Sequence, residues 1–310
     1  MEIVHLGGGA LVCSRLAFGC WRIARTGITP KDHATAKRAI FTAIDAGYTL
    51  FDHADIYCDS RAESVFGALL QETPKLREGL VIATKCGIRF RDDPTPGAPY
   101  RYDLSREHIV ASCEQSLKRL RIQTIDLFQL HRPDWLMNPE EVAAAFSELH
   151  KAGKVREFGV SNFRPAQLTA LQKALPFRLL VNQIEVSLLQ LSAFNDGSLD
   201  QCLAERITPL AWSPLAGGLL AEGAVDILPA QQLYRPERVL PELGKMALAR
   251  GTTRTALALA WLLKHPACIV PIIGSTQPER IRAAADATEI QLSREEWYRL
   301  FAAARAEPLA

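Results

Sequence analysis

Four side chains that can take part in proton transfer stand at the ends of neighbouring apolar runs. Asp52 and Tyr57 come at the end of one run, Lys85 follows the next, and His131 follows the third. Reduction of a carbonyl needs a hydride and a proton, and a phenol with a pKa near 10 donates its proton more readily when a buried ammonium lowers that pKa. The pattern therefore predicts a carbonyl-reducing site with Tyr57 as the proton donor and Lys85 as the group that lowers its pKa.

The other two side chains have supporting roles in this prediction. Asp52 would keep Lys85 charged and in place, and a neutral His131 would donate a hydrogen bond to the carbonyl oxygen. Each residue alone also has an ordinary structural interpretation, and the hypothesis rests on all four occurring at adjacent strand ends. A barrel enzyme that uses Lys85 as a Schiff-base nucleophile is the alternative.

The elements that would position these residues alternate between short β-type runs and amphipathic helical stretches. Eight such repeats favour an α/β fold, a (β/α)8 TIM barrel, in which catalytic residues lie at the carboxyl ends of the strands. An open doubly wound sheet is the alternative, but it usually carries a glycine-rich fingerprint after its first strand. The predicted strands are 16–19, 49–52, 80–84, 126–130, 157–160, 179–184, 208–211 and 269–273, and the predicted helices are 34–46, 64–71, 105–120, 139–152, 165–174, 199–205, 253–265 and 278–285.

The remaining segments complete a single predicted domain over residues 1–310. The glycine run 7–9 is more typical of a hairpin turn than of a dinucleotide-binding fingerprint, and it predicts a short N-terminal β-hairpin that closes the bottom of the barrel. Apolar side chains on one face of residues 294–304 predict an extra C-terminal helix. Two long segments, 87–104 and 215–239, are expected to be loops over the active site.

Composition narrows the function classes. The chain has 310 residues and a formal net charge of +2, which argues against nucleic-acid and membrane-surface partners. It has no apolar stretch long enough to span a bilayer, and its first ten residues are not typical of a signal peptide. Seven scattered cysteines without a C-x-x-C pair, and histidines without metal-ligand spacing, predict reduced thiols, a cytoplasmic location and no metal.

The ordered series of motifs resembles the aldo-keto reductase family, in the form of its bacterial oxidoreductase-type members, over almost the entire chain. The series is far more specific than any one of its members. It consists of Phe51-Asp52-x-Ala54-Asp55-x-Tyr57, Thr84-Lys85-Cys86-Gly87, Asp126-Leu127-x-x-Leu130-His131, Gly159-Val160-Ser161-Asn162-Phe163, Val181-Asn182-Gln183, Trp212-Ser213-Pro214-Leu215 and Pro271-Ile272-Ile273-Gly274-Ser275-Thr276.

The resemblance implies NADPH-dependent reduction of aldehydes or ketones by the same four catalytic residues. NADP(H) would lie extended across the barrel mouth, with Trp212 stacked on the nicotinamide. Arg280 would meet the adenosine 2′-phosphate, since a guanidinium pairs well with a phosphate. The carboxamide contacts implied are Ser161, Asn162 and Gln183, and the other cofactor contacts implied are Cys20, Trp21, Asp52, Ser213, Pro214, Leu215, Gly217, Gly218, Ile273, Gly274, Ser275 and Thr276.

The chain departs from the family pattern at a few positions. Gly274 stands where many relatives carry a phosphate-binding lysine, and His53 and Cys58 replace residues that are often Thr and Gly.

The expected partner is a small carbonyl substrate, in a protein that is a monomer or a weak homodimer. A non-catalytic NADP-binding subunit is the second alternative, although all four catalytic residues are present. The substrate-side candidates are Trp21, Tyr57, Phe90 and His131, with Trp135 and Tyr234 as further loop aromatics whose apolar surfaces would favour apolar substrates.

Overall fold

The computed structural model describes residues 1–25, 27, 29–223 and 227–305. Eight parallel strands close into a barrel, and their order around the barrel follows the chain. This confirms the predicted (β/α)8 TIM barrel, and each predicted strand lies within two residues of an observed one at either end. The strands are β1 (Ile3–His5), β2 (Val12–Ser14), β3 (Ala17–Gly19), β4 (Leu50–Asp52), β5 (Val81–Cys86), β6 (Ile88–Arg89), β7 (Arg101–Tyr102), β8 (Ile125–Leu130), β9 (Val155–Ser161), β10 (Val181–Glu185), β11 (Thr208–Trp212) and β12 (Val270–Ile273).

Helices surround the barrel and cover its apolar outer surface. The ends of several follow local capping chemistry: Ser105 and Asn138 accept hydrogen bonds from backbone N–H groups in the first turn of their helices. The helices are α1 (Pro30–Asp45), α2 (Arg61–Glu72), α3 (Arg106–Leu120), α4 (Pro139–Lys151), α5 (Pro165–Ala174), α6 (Ser198–Glu205), α7 (Pro236–Ala249), α8 (Arg254–Leu263), α9 (Pro278–Ala285) and α10 (Arg294–Ala304).

Helix α1 begins earlier than predicted. Thr29 accepts a hydrogen bond from the backbone of Asp32, and the Asp32 carboxylate accepts one from the backbone of Thr29. This capping box, with Pro30 in the first turn, starts the helix at Pro30 rather than at residue 34.

Helix α7 was not predicted at all. Its residues fall partly within the segment 215–239 that was expected to be a loop, and residues 224–226 of that segment lie outside the described part of the chain. The prolines at 236 and 241 resemble loop residues in sequence, but Pro236 lies in the first turn, where its missing N–H costs nothing.

The N-terminal hairpin of β1 and β2 closes the bottom of the barrel, as predicted. Leu6, Leu11 and Cys13 pack against the first residues of the barrel strands, including Leu50 and Leu210. Gly7 has a φ of +59°, and a Cβ at this position would lie 2.9 Å from the Cα of Leu180, so the close approach requires glycine.

The predicted C-terminal helix α10 packs on α8 through two tryptophans. The rings of Trp261 and Trp297 stack with centroids 5.0 Å apart, and each indole N–H donates to the backbone carbonyl of the other residue. Leu300 and Phe301 of the same helix are buried. Among the described residues, no helix has both the length and the apolar character to cross a membrane.

Candidate functional site

Inward-facing side chains at the carboxyl ends of the barrel strands form one polar cluster. Because side chains alternate along a strand, Lys85 points into the barrel while Thr84 points towards the helices. Asp52 ends β4 next to it, and Gln183 lies on β10 across the barrel. The fold therefore brings together residues more than a hundred positions apart in the sequence.

Lys85 is fully held by its neighbours. Its Nζ donates to Asp52 Oδ1 at 2.7 Å, to Asp52 Oδ2 at 2.8 Å and to the carbonyl of His53 at 2.6 Å. An ammonium has three N–H groups, so all of them are used. Burial lowers the pKa of Lys85, and the nearby Asp52 carboxylate opposes that shift.

Tyr57 lies directly above this ion pair. Lys85 Nζ is 4.9 Å from the centroid of its ring, the His131 ring stands edge-on at 5.9 Å, and the Trp21 ring lies at 5.4 Å. Only 8% of Tyr57 is exposed. The phenol is therefore enclosed by the other predicted catalytic side chains and open to solvent only at the mouth.

The predicted lowering of the Tyr57 pKa by Lys85 is wrong for this arrangement. Burial raises the pKa of Tyr57 well above its usual value of 10.0, and the charge of Asp52 raises it further. The Lys85 charge is balanced by the bidentate Asp52, so it offers the phenolate little stabilisation. Tyr57 consequently holds its proton throughout the neutral pH range.

His131 is neutral in this environment. Burial lowers its pKa well below 6.5, and the positive charges of Lys85 and Arg132 act in the same direction. Its backbone N–H donates to the carbonyl of Cys86, while its ring Nδ1 has no hydrogen-bond partner in the described structure. A neutral imidazole beside the Tyr57 phenol is suited to hydrogen bonding with a substrate oxygen.

The three residues expected at the carboxamide are already linked to one another. Ser161 donates to the carbonyl of Gln183 at 2.9 Å, Asn162 donates to Ser161 Oγ at 2.7 Å, and Trp212 Nε1 donates to Asn162 Oδ1 at 2.9 Å. Asn162 adopts a left-handed backbone conformation with φ +61°. The side-chain amide nitrogen of Gln183 is directed at Asp52 Oδ1, 2.8 Å away.

The segment after β11 turns sharply beneath the mouth. Ser213, Ala216, Gly217 and Gly218 all have positive φ values, between 49° and 108°. The backbone N–H groups of Ala216 and Gly218 donate to the carbonyls of Ser213 and Leu215, so hydrogen bonds within the segment hold this turn. The side chain of Gln231 lies where a Cβ on Gly217 would be, so the glycine accommodates this contact within the protein.

The strand ends around β12 supply a cationic rim. Arg22 donates to the carbonyl of Gly274 at 2.9 Å, which places a guanidinium beside the position where a lysine is missing. Among the residues described, the exposed Arg280 side chain has no hydrogen bond or ion pair. The buried Cys20, Pro214 and Ile273 and the half-buried Leu215, Ser275 and Thr276 lie on strand-end segments of the barrel.

These features fit a nicotinamide dinucleotide. The half-buried Trp212 ring offers an aromatic platform, Gly217 leaves its backbone exposed without a side chain, and Arg280 offers an uncommitted guanidinium at the rim. An aromatic face, an approachable stretch of backbone and a cation correspond to the aromatic, diphosphate and phosphate parts of such a molecule.

The predicted substrate-side aromatics lie at the mouth with large exposed areas. Trp21 is 59% exposed and Phe90 is 46% exposed. Trp135 is also exposed, whereas the Tyr234 hydroxyl donates to the carboxylate of Glu185. Glu185 and Arg132, which the sequence analysis did not identify, also lie at these strand ends.

The two unusual residues near the site have structural surroundings. His53 faces away from the barrel interior and its ring packs edge-on against Phe66, with centroids 4.6 Å apart. Burial, and secondarily the charge of Lys85, lowers the pKa of His53 to about 3. The Cys58 thiol donates to the carbonyl of Trp21 at 2.8 Å. In the part of the chain that is described, no cluster of three or more potential metal ligands is found.

Comparisons with known proteins agree with this geometry. Residues 15–305 match the model of the Aldo/keto reductase family. The chain is 41% identical to a 6-dehydroglucose reductase of Novosphingobium aromaticivorans, with 98% of this chain and 96% of that protein covered. It is 40% identical to the oxidoreductase YdhF of Escherichia coli, with 94% and 93% covered.

A solved structure shows the same architecture. The glycerol dehydrogenase from Gluconobacter oxydans superposes with a TM-score of 0.87 at 27% identity, covering 100% of this chain and 98% of the other. From the family match over nearly the whole chain, the relatives at 40% identity and the shared barrel, it follows that the chain belongs to the aldo/keto reductase family.

Proposed function

We propose that the protein is an NADPH-dependent oxidoreductase that reduces aldehyde or ketone carbonyls to alcohols, with Tyr57 as the general acid. The observation that carries this proposal is the placement of a protonated Tyr57 above the Lys85–Asp52 ion pair and beside a neutral His131. No other phenol in the described structure has these neighbours. We further propose a cytoplasmic protein that is a monomer or a weak homodimer.

Under this proposal, one set of residues binds the cofactor and another transfers the proton. Trp212, the Ser161–Asn162 pair and the 213–218 backbone would hold the cofactor, with Ser275, Thr276 and Arg280 at its 2′-phosphate. Bound reduced nicotinamide supplies the hydride. Tyr57 gives its proton to the carbonyl oxygen, and the neutral His131 orients that oxygen by hydrogen bonding.

The geometry disfavours the Schiff-base alternative. A lysine nucleophile must be neutral and free to attack, but Lys85 donates all three N–H groups and is paired with Asp52. The non-catalytic subunit is disfavoured because Asp52, Tyr57, Lys85 and His131 are all present and in mutual contact range.

The relatives indicate which substrates to try first. Two proteins that are 41% and 40% identical to this chain are named 6-dehydroglucose reductase. An oxidised glucose is a polyhydroxylated carbonyl compound, and we include such compounds among the proposed substrates.

Replacing Tyr57 by phenylalanine tests the proposed acid. Tyr57→Phe should lower kcat about 10²–10⁴-fold, because general acid catalysis contributes a factor of this size. The measurement is steady-state NADPH oxidation with an aldehyde, alongside the cofactor Kd from tryptophan fluorescence. The Kd should stay the same, and a fully active Tyr57→Phe enzyme would refute the assignment.

Replacing Arg280 by alanine tests the cofactor preference. Arg280→Ala should raise the Kd for NADPH by about tenfold or more and leave that for NADH nearly unchanged, because one charged hydrogen bond contributes roughly 1.5–3 kcal/mol. Fluorescence titration with both cofactors measures this. An equal loss of affinity for NADPH and NADH would show that Arg280 does not contact the 2′-phosphate.

A further inference from the structure

Arg132 occupies the mouth without a partner for its charge. It directly follows His131, and its guanidinium lies 5.6 Å from the centroid of the Trp212 ring. Within the described ranges it forms neither a hydrogen bond nor an ion pair through its side chain. A half-buried guanidinium has five N–H donors, and stacking on an indole satisfies none of them in their plane.

Glu185 supplies the opposite charge next to the same tryptophan. It is paired with Trp212 in the register of β10 and β11, so the two side chains lie next to each other on the inner face of the barrel. Its carboxylate accepts a hydrogen bond from the Tyr234 hydroxyl and another from the Gln190 side chain. Two carboxylate oxygens offer about four acceptor sites, so acceptor capacity remains.

The two charges are close enough to influence each other but are not bonded. Arg132 and Glu185 form no ion pair within 4.0 Å in the described structure. Burial raises the pKa of Glu185, and the Arg132 charge is among the effects that oppose this shift. Arg132 likewise opposes the burial that raises the pKa of Tyr57, so it lies within electrostatic range of the proton donor. Arg132, a hydrogen-bond donor, and Glu185, an acceptor, are therefore both near Tyr57 or Trp212 and are not bonded to each other.

This arrangement suits one class of substrate. A hydroxyl group both donates and accepts, so a chain of hydroxyls can bond to Arg132 and Glu185 at once. An anionic substrate would be attracted by one residue and repelled by the other. An apolar substrate would displace the water that is hydrogen-bonded to both charges and offer no hydrogen bonds in return. That loss would raise the free energy of binding.

We propose that Arg132 and Glu185 are specificity-determining residues that select neutral, polyhydroxylated carbonyl substrates, with Arg132 donating to one substrate hydroxyl and Glu185 accepting from another. This rests on the reductase function proposed above. It replaces the expectation, drawn from the loop aromatics alone, that the mouth favours substrates with apolar bodies. Sites built to bond a substrate hydroxyl reject the analogue that lacks it far more strongly than apolar pockets discriminate by size.

The test compares aldehydes of equal chain length with and without hydroxyl groups. The kcat/KM values with NADPH are measured for glyceraldehyde against propanal and for erythrose against butanal, expressed per free aldehyde. The wild-type protein should prefer the hydroxylated member of each pair by at least about tenfold. Arg132→Met and Glu185→Gln should each lower this ratio about ten- to a hundredfold, mainly through KM, as expected for loss of a charged hydrogen bond.

Conservative and remote variants complete the design. Arg132→Lys keeps the charge but not the planar fork, so its ratio should fall between those of the wild type and Arg132→Met. Arg294→Met, an exposed arginine at the start of α10, should leave both kinetic constants unchanged. NADPH titration of each variant establishes that it is folded.

The outcomes separate this inference from the function on which it rests. A wild-type protein that reduces both members of each pair without preference overturns the inference and leaves the reductase function standing. Variants that lose activity equally on both members, with an unchanged ratio, also overturn it. A wild-type protein that reduces none of the four aldehydes overturns the proposed function, and the inference with it.

Discussion

The two faces of strand β5 each bear a cluster of buried charge. On the inner face, Lys85 binds Asp52, which also accepts from Gln183. On the outer face, Thr84 donates to the Glu63 carboxylate at 2.5 Å, and Arg119 donates to the same carboxylate at 2.7 Å.

The two clusters differ in what surrounds them. The inner one lies beneath Tyr57 at the mouth, whereas the outer one lies between the barrel and helices α2 and α3. Gly67 on α2 packs against the backbone of Arg119 and Leu120 on α3, and a Cβ there would clash, so the glycine lets the helices approach. Burial of charge therefore does not by itself identify a catalytic site. The inner cluster differs in lying beneath Tyr57, the proton donor under the proposed function, and the outer one joins three elements of the fold.

The largest expected difference between the two clusters is in activity, and removing the Lys85 ammonium tests it. Lys85→Met should lower kcat/KM by at least about 10²–10³-fold, because it leaves the buried Asp52 charge unbalanced beside Tyr57. Thr84→Val, the neighbouring residue on the opposite face, is the matched control and should retain wild-type kcat/KM. Steady-state kinetics on both variants, after circular dichroism to establish folding, measures the difference. Equal losses would mean that the two faces are not functionally distinct.

The outer cluster should respond in stability instead of activity. Glu63→Gln removes the charge that pairs with Arg119, and we expect a loss of about 2–4 kcal/mol in the free energy of unfolding, since one partner of a buried pair is left behind. Urea denaturation measures this. The folded variant should keep wild-type kcat/KM, and a large catalytic defect without a change in stability would contradict the structural role.

The buried Asp55 carboxyl should make the stability of the protein depend on pH. Burial, and next the charge of Glu63, raises the pKa of Asp55 to about 8, and its Oδ1 has no hydrogen-bond partner in the described structure. Between the unfolded value near 4 and about 8 the folded protein binds more protons than the unfolded chain, so this residue makes stability fall as pH rises through that window.

Asp55→Asn removes the titration. The wild type should lose about 3–4 kcal/mol through this residue between pH 5 and pH 8, so the Tm of the variant relative to the wild type should increase by about 5–10 °C over that interval. Differential scanning calorimetry at both pH values tests this. A constant Tm difference would show that Asp55 is ionised in the folded protein.

The strands and the inner cluster were predictable because local sequence patterns indicate where each strand lies and which polar residues end it. Apolar runs of four to six residues mark the strands, and Asp52, Lys85 and His131 each stand at the end of such a run. The pairing of Glu63 with Arg119 was not predictable, because the residues lie 56 positions apart and no local pattern links two helix positions across a crossing.

Other differences have equally local causes. Helix α7 was missed because Pro236 and Pro241 resemble loop residues, and the two-stranded β6–β7 ribbon was missed because its strands have only two residues each. The predicted direction of the Tyr57 pKa shift was wrong because the sequence shows a nearby lysine but not the burial of the phenol, nor the Asp52 charge close to it. Arg132 and Glu185 were missed because their significance depends on both lying next to Trp212, which is distant from each of them in the sequence.

The hairpin that closes the bottom of the barrel has a consequence for the order of events in turnover. With Leu6 and Leu11 sealing one end, molecules can reach Tyr57 only from the other. Under the proposed function, the cofactor, the carbonyl compound and the alcohol must therefore all enter and leave through that one opening.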